Sequence, residues 1–274
     1  MKTFAKKPWK FLFFIFNLAL FAALVWSVLN LVHAPAGMHL ELTSNMENLT
    51  PEERVELRFV IRDINGEVLK DFARVHEKLL HLVVVREDLT EFQHLHPDFD
   101  KETGEFSVDL AFPKNGPYKI YADFTPEHLT QTVLQSSVQV GEEPQFVAEP
   151  LIAGVLEPFP VGSFTVSPIF PETLFTGTEM KLSFEVEKDG EEVELEPYLG
   201  AEGHCVILRS ESLDYLHSHP VEDGLQFEVL FEEPGLYQSF TQFQVGGQIY
   251  TFPFAFEVTE NARGSEEDSS HMEH

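Results

Sequence analysis

From about residue 38 onward, apolar and polar side chains alternate with the period of a β-strand. "RVELRFVIRD" (54–63) puts Val55, Leu57, Phe59 and Ile61 on one face. "GEFSVDLAF" (104–112) does the same with Phe106, Val108, Leu110 and Phe112, and "GPYKIYADF" (116–124) with Tyr118, Ile120, Ala122 and Phe124. Gly and Pro punctuate these runs every ~8–12 residues, the rhythm of a β-sandwich, and Asn65-Gly66 is a tight-turn signal.

The order then repeats. "EMKLSFEVEKDGEEV" (179–193) matches "RVELRFVIRDINGEV", "GLQFEVLF" (224–231) matches "GEFSVDLAF", and "GLYQSFTQF" (235–243) matches "GPYKIYADF" with both aromatics in register. The predicted fold class is therefore all-β, two tandem immunoglobulin-like antiparallel β-sandwiches at residues 38–143 and 161–259. Pro144, Pro150, Pro158 and Pro160 mark residues 144–160 as a semi-rigid connector, and residues 260–274 have the polar composition of a disordered acidic tail.

Ahead of the sandwiches the pattern changes to one uncharged apolar run, Phe11–Val32. As a helix at ~1.5 Å per residue this run is about 33 Å long, enough to cross a bilayer core and longer than a typical signal peptide's apolar region. Lys2, Lys6, Lys7 and Lys10 in the basic segment 1–10 place the N-terminus in the cytoplasm. The expectation is a single-pass anchor at residues 11–32 with everything after it outside; cleavage at Ala34-Pro35-Ala36 would instead give a secreted form.

Two stretches depart from plain alternation in the same way. "HLVVVREDLTEFQHLHP" (81–97) and "HCVILRSESLDYLHSHP" (204–220) each run from a His through an apolar stretch, an Arg and an acidic turn to His-x-His-Pro. Twelve residues separate the first and second His in both. If each is a hairpin, pairing Arg86 with Glu91 sets His81 opposite His96, and pairing Arg209 with Asp214 sets His204 opposite His219. Side chains two apart share a strand face, so His81, His94 and His96 would cluster, as would His204, His217 and His219. Three imidazoles in that arrangement form a workable set for Cu(II), Zn(II) or Ni(II), with no Met or Cys to favour Cu(I). The competing reading is structural: imidazoles that hydrogen-bond nearby backbone and were copied with the repeat. On the metal reading each module would hold its own ion. Arg86 and Arg209 read as salt-bridge partners of Glu91 and Asp214, while His39, His76 and His128 occur only in the first half and can complete one site there.

Composition narrows the partners. With 46 Asp and Glu against 18 Lys and Arg, the chain carries a net charge of -28, which would repel phosphate backbones and disfavours nucleic acid. The lone Cys205 rules out an intrachain disulfide and reads as a core residue facing away from His204.

"KLLHLVVVREDLTEFQHLHPDFD" followed by "GEFSVDLAFPKNGPYKIYADF" resembles extracytoplasmic bacterial β-sandwich proteins of metal-handling contexts, the YtkA-like and CopC-like modules. The resemblance implies an immunoglobulin-like sandwich and a copper or related metal role. CopC-like modules place a ligand His near the mature N-terminus, a position only His39 can fill here. The function expected is a membrane-anchored extracytoplasmic protein binding a divalent metal of the copper or zinc type. Its alternative is a non-metal envelope interaction module with structural histidines and a protein partner. No nucleotide fingerprint, Gly-x-Ser-x-Gly or His-Glu-x-x-His motif supports an enzyme.

Overall fold

The computed structural model describes residues 37–142, 148–218, 220 and 224–261. The basic segment, the anchor Phe11–Val32 and most of the acidic tail lie outside these residues. Among the described residues no helix is long and apolar enough to cross a membrane, and every regular element is a strand.

The first half contains β1 (His39–Leu42), β2 (Arg54–Arg62), β3 (Phe72–Ala73), β4 (Leu80–Arg86), β5 (Phe92–Leu95), β6 (Asp98–Asp100), β7 (Glu105–Ala111), β8 (Gly116–Pro126) and β9 (Thr132–Val140). The second contains β10 (Phe159–Val161), β11 (Phe164–Ile169), β12 (Leu174–Phe175), β13 (Glu179–Lys188), β14 (Glu191–Glu192), β15 (Gly203–Arg209), β16 (Tyr215–Ser218), β17 (Leu225–Leu230), β18 (Gly235–Val245) and β19 (Gln248–Thr259). The sheet β1-β2-β7-β6 faces a sheet in which β3, β4 and β9 surround β8 and β5 borders β4. In the second half β11-β13-β17 answers β1-β2-β7, and β16-β15-β18-β19 answers β5-β4-β8-β9. The small strands β3, β6, β10 and β14 at the sheet edges are where the halves differ.

Pairing is antiparallel apart from two equivalent places. Leu49 bridges Val140 in parallel, and Leu174–Phe175 of β12 pairs in parallel with Val258–Thr259 of β19. The alternating faces read from sequence form the cores. Leu57, Phe59, Ile61, Phe106 and Leu110 pack against Leu82, Val84, Ile120 and Ala122 in the first, and Leu182, Phe184 and Phe227 against Ile207, Phe243 and Phe252 in the second.

The unbroken apolar runs of β4 and β15 have a different cause. Leu82 and Val84 point into their own core, while Val83 and Val85 point the other way and are also fully buried. There they meet Val206 and Leu208 of β15, together with Tyr121, Phe240, Leu89 and Leu213. The two sandwiches thus pack sheet against sheet, with a third apolar cluster between them. A strand buried on both faces reads as a continuous apolar run, not as alternation.

The contact is nearly two-fold symmetric. Phe92 stacks on Phe240 at 4.2 Å, and the matching pair Tyr215 and Tyr121 stacks at 4.9 Å. Leu89 and Leu213 turn the two hairpins with positive φ of 62° and 59°. Each offers its carbonyl across the contact, Leu89 to Gln238 Nε2 at 3.1 Å and Leu213 to the Tyr121 hydroxyl at 2.6 Å. Burial raises the pKa of both Tyr121 and Tyr215, and the nearby Asp123 adds to the shift at Tyr215.

Candidate metal centre

Both hairpins adopt the register their turns dictate. In the first, Leu82 faces Leu95 and Val83 faces His94, with the Arg86 amide donating to the Glu91 carbonyl at 3.0 Å. In the second, Cys205 faces Ser218 and Val206 faces His217, with the Arg209 amide donating to the Asp214 carbonyl at 3.2 Å. The arginine side chains do not bridge the hairpins as the sequence suggested. Arg86 instead bonds Asp88 at 2.8 Å and the Asn115 carbonyl at 2.8 Å, while Glu91 pairs with Lys114 at 2.9 Å. Arg209 donates to the Pro234 carbonyl at 2.8 Å and reaches Glu211 at 3.6 Å.

This register gathers His81, His94 and His96. One nitrogen from each lies within 4.8 Å of the other two, and the ring centroids are 4.8 to 5.2 Å apart. His81 Nδ1 and His94 Nε2 are 3.0 Å apart. Around a metal with bonds of about 2.0–2.1 Å, tetrahedral ligand nitrogens stand about 3.3 Å from one another; the His81–His94 pair is slightly closer than that, and the other separations stay within 4.8 Å.

The second sandwich orients one of these rings. Gln242 Nε2 donates to Thr251 Oγ1 at 2.9 Å, which turns Oε1 toward His94. His94 Nδ1–H then donates to that Oε1 at 2.7 Å. A neutral imidazole with its proton on Nδ1 carries its lone pair on Nε2, the atom facing His81. Such a hydrogen bond to the non-ligating nitrogen is the usual support of a metal-binding His.

The first histidine of the second hairpin lies close to this cluster. His204 is 1% exposed and its ring lies 6.1 Å from His81 and 5.9 Å from His94. Its Nε2 bonds the Tyr198 carbonyl at 2.9 Å. Gly203 seats it: a Cβ there would clash with Leu225 and stand 2.7 Å from the Gln242 carbonyl. The side chain of His217 and all of His219 lie outside the described residues, so the second triad is represented by His204 alone.

His76 joins the group, 6.4 Å from His81 and 5.9 Å from His204 between ring centroids. The sequence placed it only in the first half, because the turn Val75–Lys78 that carries it gives no sign of facing the second sandwich. His39 is exposed on β1 in the opposite sheet, and the His128 side chain is 89% exposed. Cys205 is fully buried in the second core, where loss of solvent pushes its thiol up to about 12.

A protein-family model described as "Domain of unknown function (DUF8832)" matches the chain in two segments, residues 34–141 and 163–260. No curated protein matches. Among solved structures, a mutant of Salmonella alpha-2-macroglobulin is similar with a TM-score of 0.30 and 14% identity, over 84% of this chain and 15% of that one. Escherichia coli alpha-2-macroglobulin activated by porcine elastase gives 0.28 and 14%, over 82% and 20%. The Clostridium thermocellum CbhA fibronectin(III)-like modules give 0.24 and 10%, over 86% and 98%. The chain thus spans about 15% of the length of the Salmonella protein. Likeness at this level carries no argument about function, and the sandwich architecture stands on the sheet order above.

Proposed function

The chain belongs to the DUF8832 family, and from the site it carries we propose that it binds a divalent transition metal of the copper or zinc type, for metal handling outside the cytoplasm. The observation that supports this most is the convergence of one nitrogen each from His81, His94 and His96 within 4.8 Å, with His94 oriented by Gln242. In this reading Phe11–Val32 anchors the protein in the membrane with its N-terminus inside, and an envelope protein supplies or receives the ion. The resemblance of the His hairpin to YtkA-like and CopC-like modules points the same way. The exposed His39 has no part in it. The role is binding, not catalysis.

One observation favours a second reading. His81, His94, Gln242 and Thr251 form an unbroken chain of polar contacts across the two sandwiches. That chain alone would suit structural histidines in an interaction module. Titration of the full chain in detergent micelles with Zn(II) and Cu(II) separates the two. Metal binding predicts saturable uptake at micromolar protein, lost when His94 and His96 are both changed to Ala. Binding should also weaken as pH falls through about 6.5, where protons compete for an ordinary imidazole. If wild type takes up no ion and the double variant only loses stability, the histidines are structural.

A further inference from the structure

We propose that His204 of the second sandwich is the fourth ligand of the His81, His94 and His96 centre, so that the ion joins the two modules. The inference rests on the metal-binding reading above and goes beyond it in naming the group that closes the site.

Four imidazoles around one ion, with bonds of about 2.0–2.1 Å, place their ring centroids about 5 Å apart. The three rings of the first hairpin already meet that spacing, at 4.8 to 5.2 Å. His204 stands at 6.1 and 5.9 Å from two of them, about one ångström too far. Because β15 holds the backbone of His204 beside Gln242, closing that gap takes a rotation of the side chain and not a movement of the strand. The ring is also prepared electronically. Its Nε2–H donates to the Tyr198 carbonyl, so a neutral ring carries its lone pair on the buried Nδ1. A backbone carbonyl on the far nitrogen is a common support for a ligating His. Its counterpart on the other side is Gln242, which stands beside His204 in the sheet pairing and supports His94 from the second sandwich.

Two consequences follow. A centre closed by four protein nitrogens has no open position, which is the arrangement of a structural or storage site and not of a hydrolytic one. It also exists only while the two sandwiches are docked, so loading and docking reinforce each other.

The test counts imidazoles on Zn(II) bound to the full chain, by X-ray absorption, in wild type and in His204→Gln and His204→Ala. Gln keeps a donor for the Tyr198 carbonyl, and circular dichroism verifies that each variant folds. The expected result is four imidazoles in wild type and three in the variants, with Zn(II) affinity lowered about tenfold or more. Three imidazoles in wild type, or four in both wild type and the folded variants, overturns the assignment and leaves the three-His reading standing. Failure of wild type to bind Zn(II) at all removes the metal reading itself. If neither variant folds, a wild-type count of three overturns the assignment, and a count of four supports it only if His76→Gln, which removes the other nearby ring, leaves that count at four.

Discussion

Gln242 on β18 of the second sandwich accepts a 2.7 Å hydrogen bond from His94 on β5 of the first. The two residues are 148 positions apart in sequence, and their bond joins the best-formed part of the candidate centre to the packing between modules. Without that packing His94 would lie on an open sheet face, and its ring would be free to rotate away from His81.

Gln242→Leu keeps the size of the side chain and removes the acceptor. The His94 ring then loses the partner that holds its proton on Nδ1. Zn(II) affinity should fall about 10–100-fold, the usual effect of losing an outer partner of a ligating His, while stoichiometry stays unchanged. Competition against a chromophoric chelator measures this. Unaltered affinity would mean that the Gln242 contact does not orient the ligand.

The hairpin arginine gives a stability test. The side chain of Asp88 is 0% exposed and that of Arg86 6%, so Asp88→Ala strands a buried guanidinium and should cost about 3–5 kcal/mol. Glu91 pairs instead with Lys114, which is 43% exposed, and Glu91→Ala should cost about 0–1 kcal/mol. Urea unfolding of both variants verifies the difference; equal losses would restore Glu91 as the partner of Arg86.

The contrast also shows what the sequence could and could not convey. The strand order, the hairpin register and the gathering of His81, His94 and His96 follow from local rules of alternation and turn spacing, and all were legible. The partner of Arg86 was not, because Asp88 inside the turn competes with Glu91 across it and sequence spacing does not rank them. The docking of the modules left a trace in the unbroken runs "LVVV" and "CVIL", which need two buried faces. Nothing local says what covers the second face. For that reason the sequence gives no sign that His76 of the first module and His204 of the second come within 5.9 Å of each other between ring centroids.

Cys205 gives a prediction on the alkaline side. Burial raises its thiol to about 12, so almost no thiolate exists in the native chain at pH 8 and iodoacetamide should leave it unlabelled until the protein unfolds. The native state keeps the proton that an unfolded thiol loses near pH 8.5. Stability from this group is therefore intact below about pH 8.5 and declines as pH rises toward 12. Rapid labelling of the folded chain at pH 8 would show that the second core opens at Cys205.

Phe240 tests whether the two sandwiches unfold as one. Its ring lies 4.2 Å from Phe92 and nearly parallel to it, within the apolar cluster between modules. Phe240→Ala should cost about 3–5 kcal/mol, the range for removing a buried aromatic. The loss falls on the contact between modules and not on either core, because Phe240 packs with Val83, Val85 and Tyr121. Scanning calorimetry of the full chain should show one cooperative transition in wild type and two in the variant, one for each sandwich with its own core. Phe227→Ala is the control: it removes a ring from the second core alone and should lower stability while leaving the packed contact to couple whatever remains folded. A single transition in Phe240→Ala, merely displaced to lower temperature, would show that something other than this aromatic contact holds the modules together.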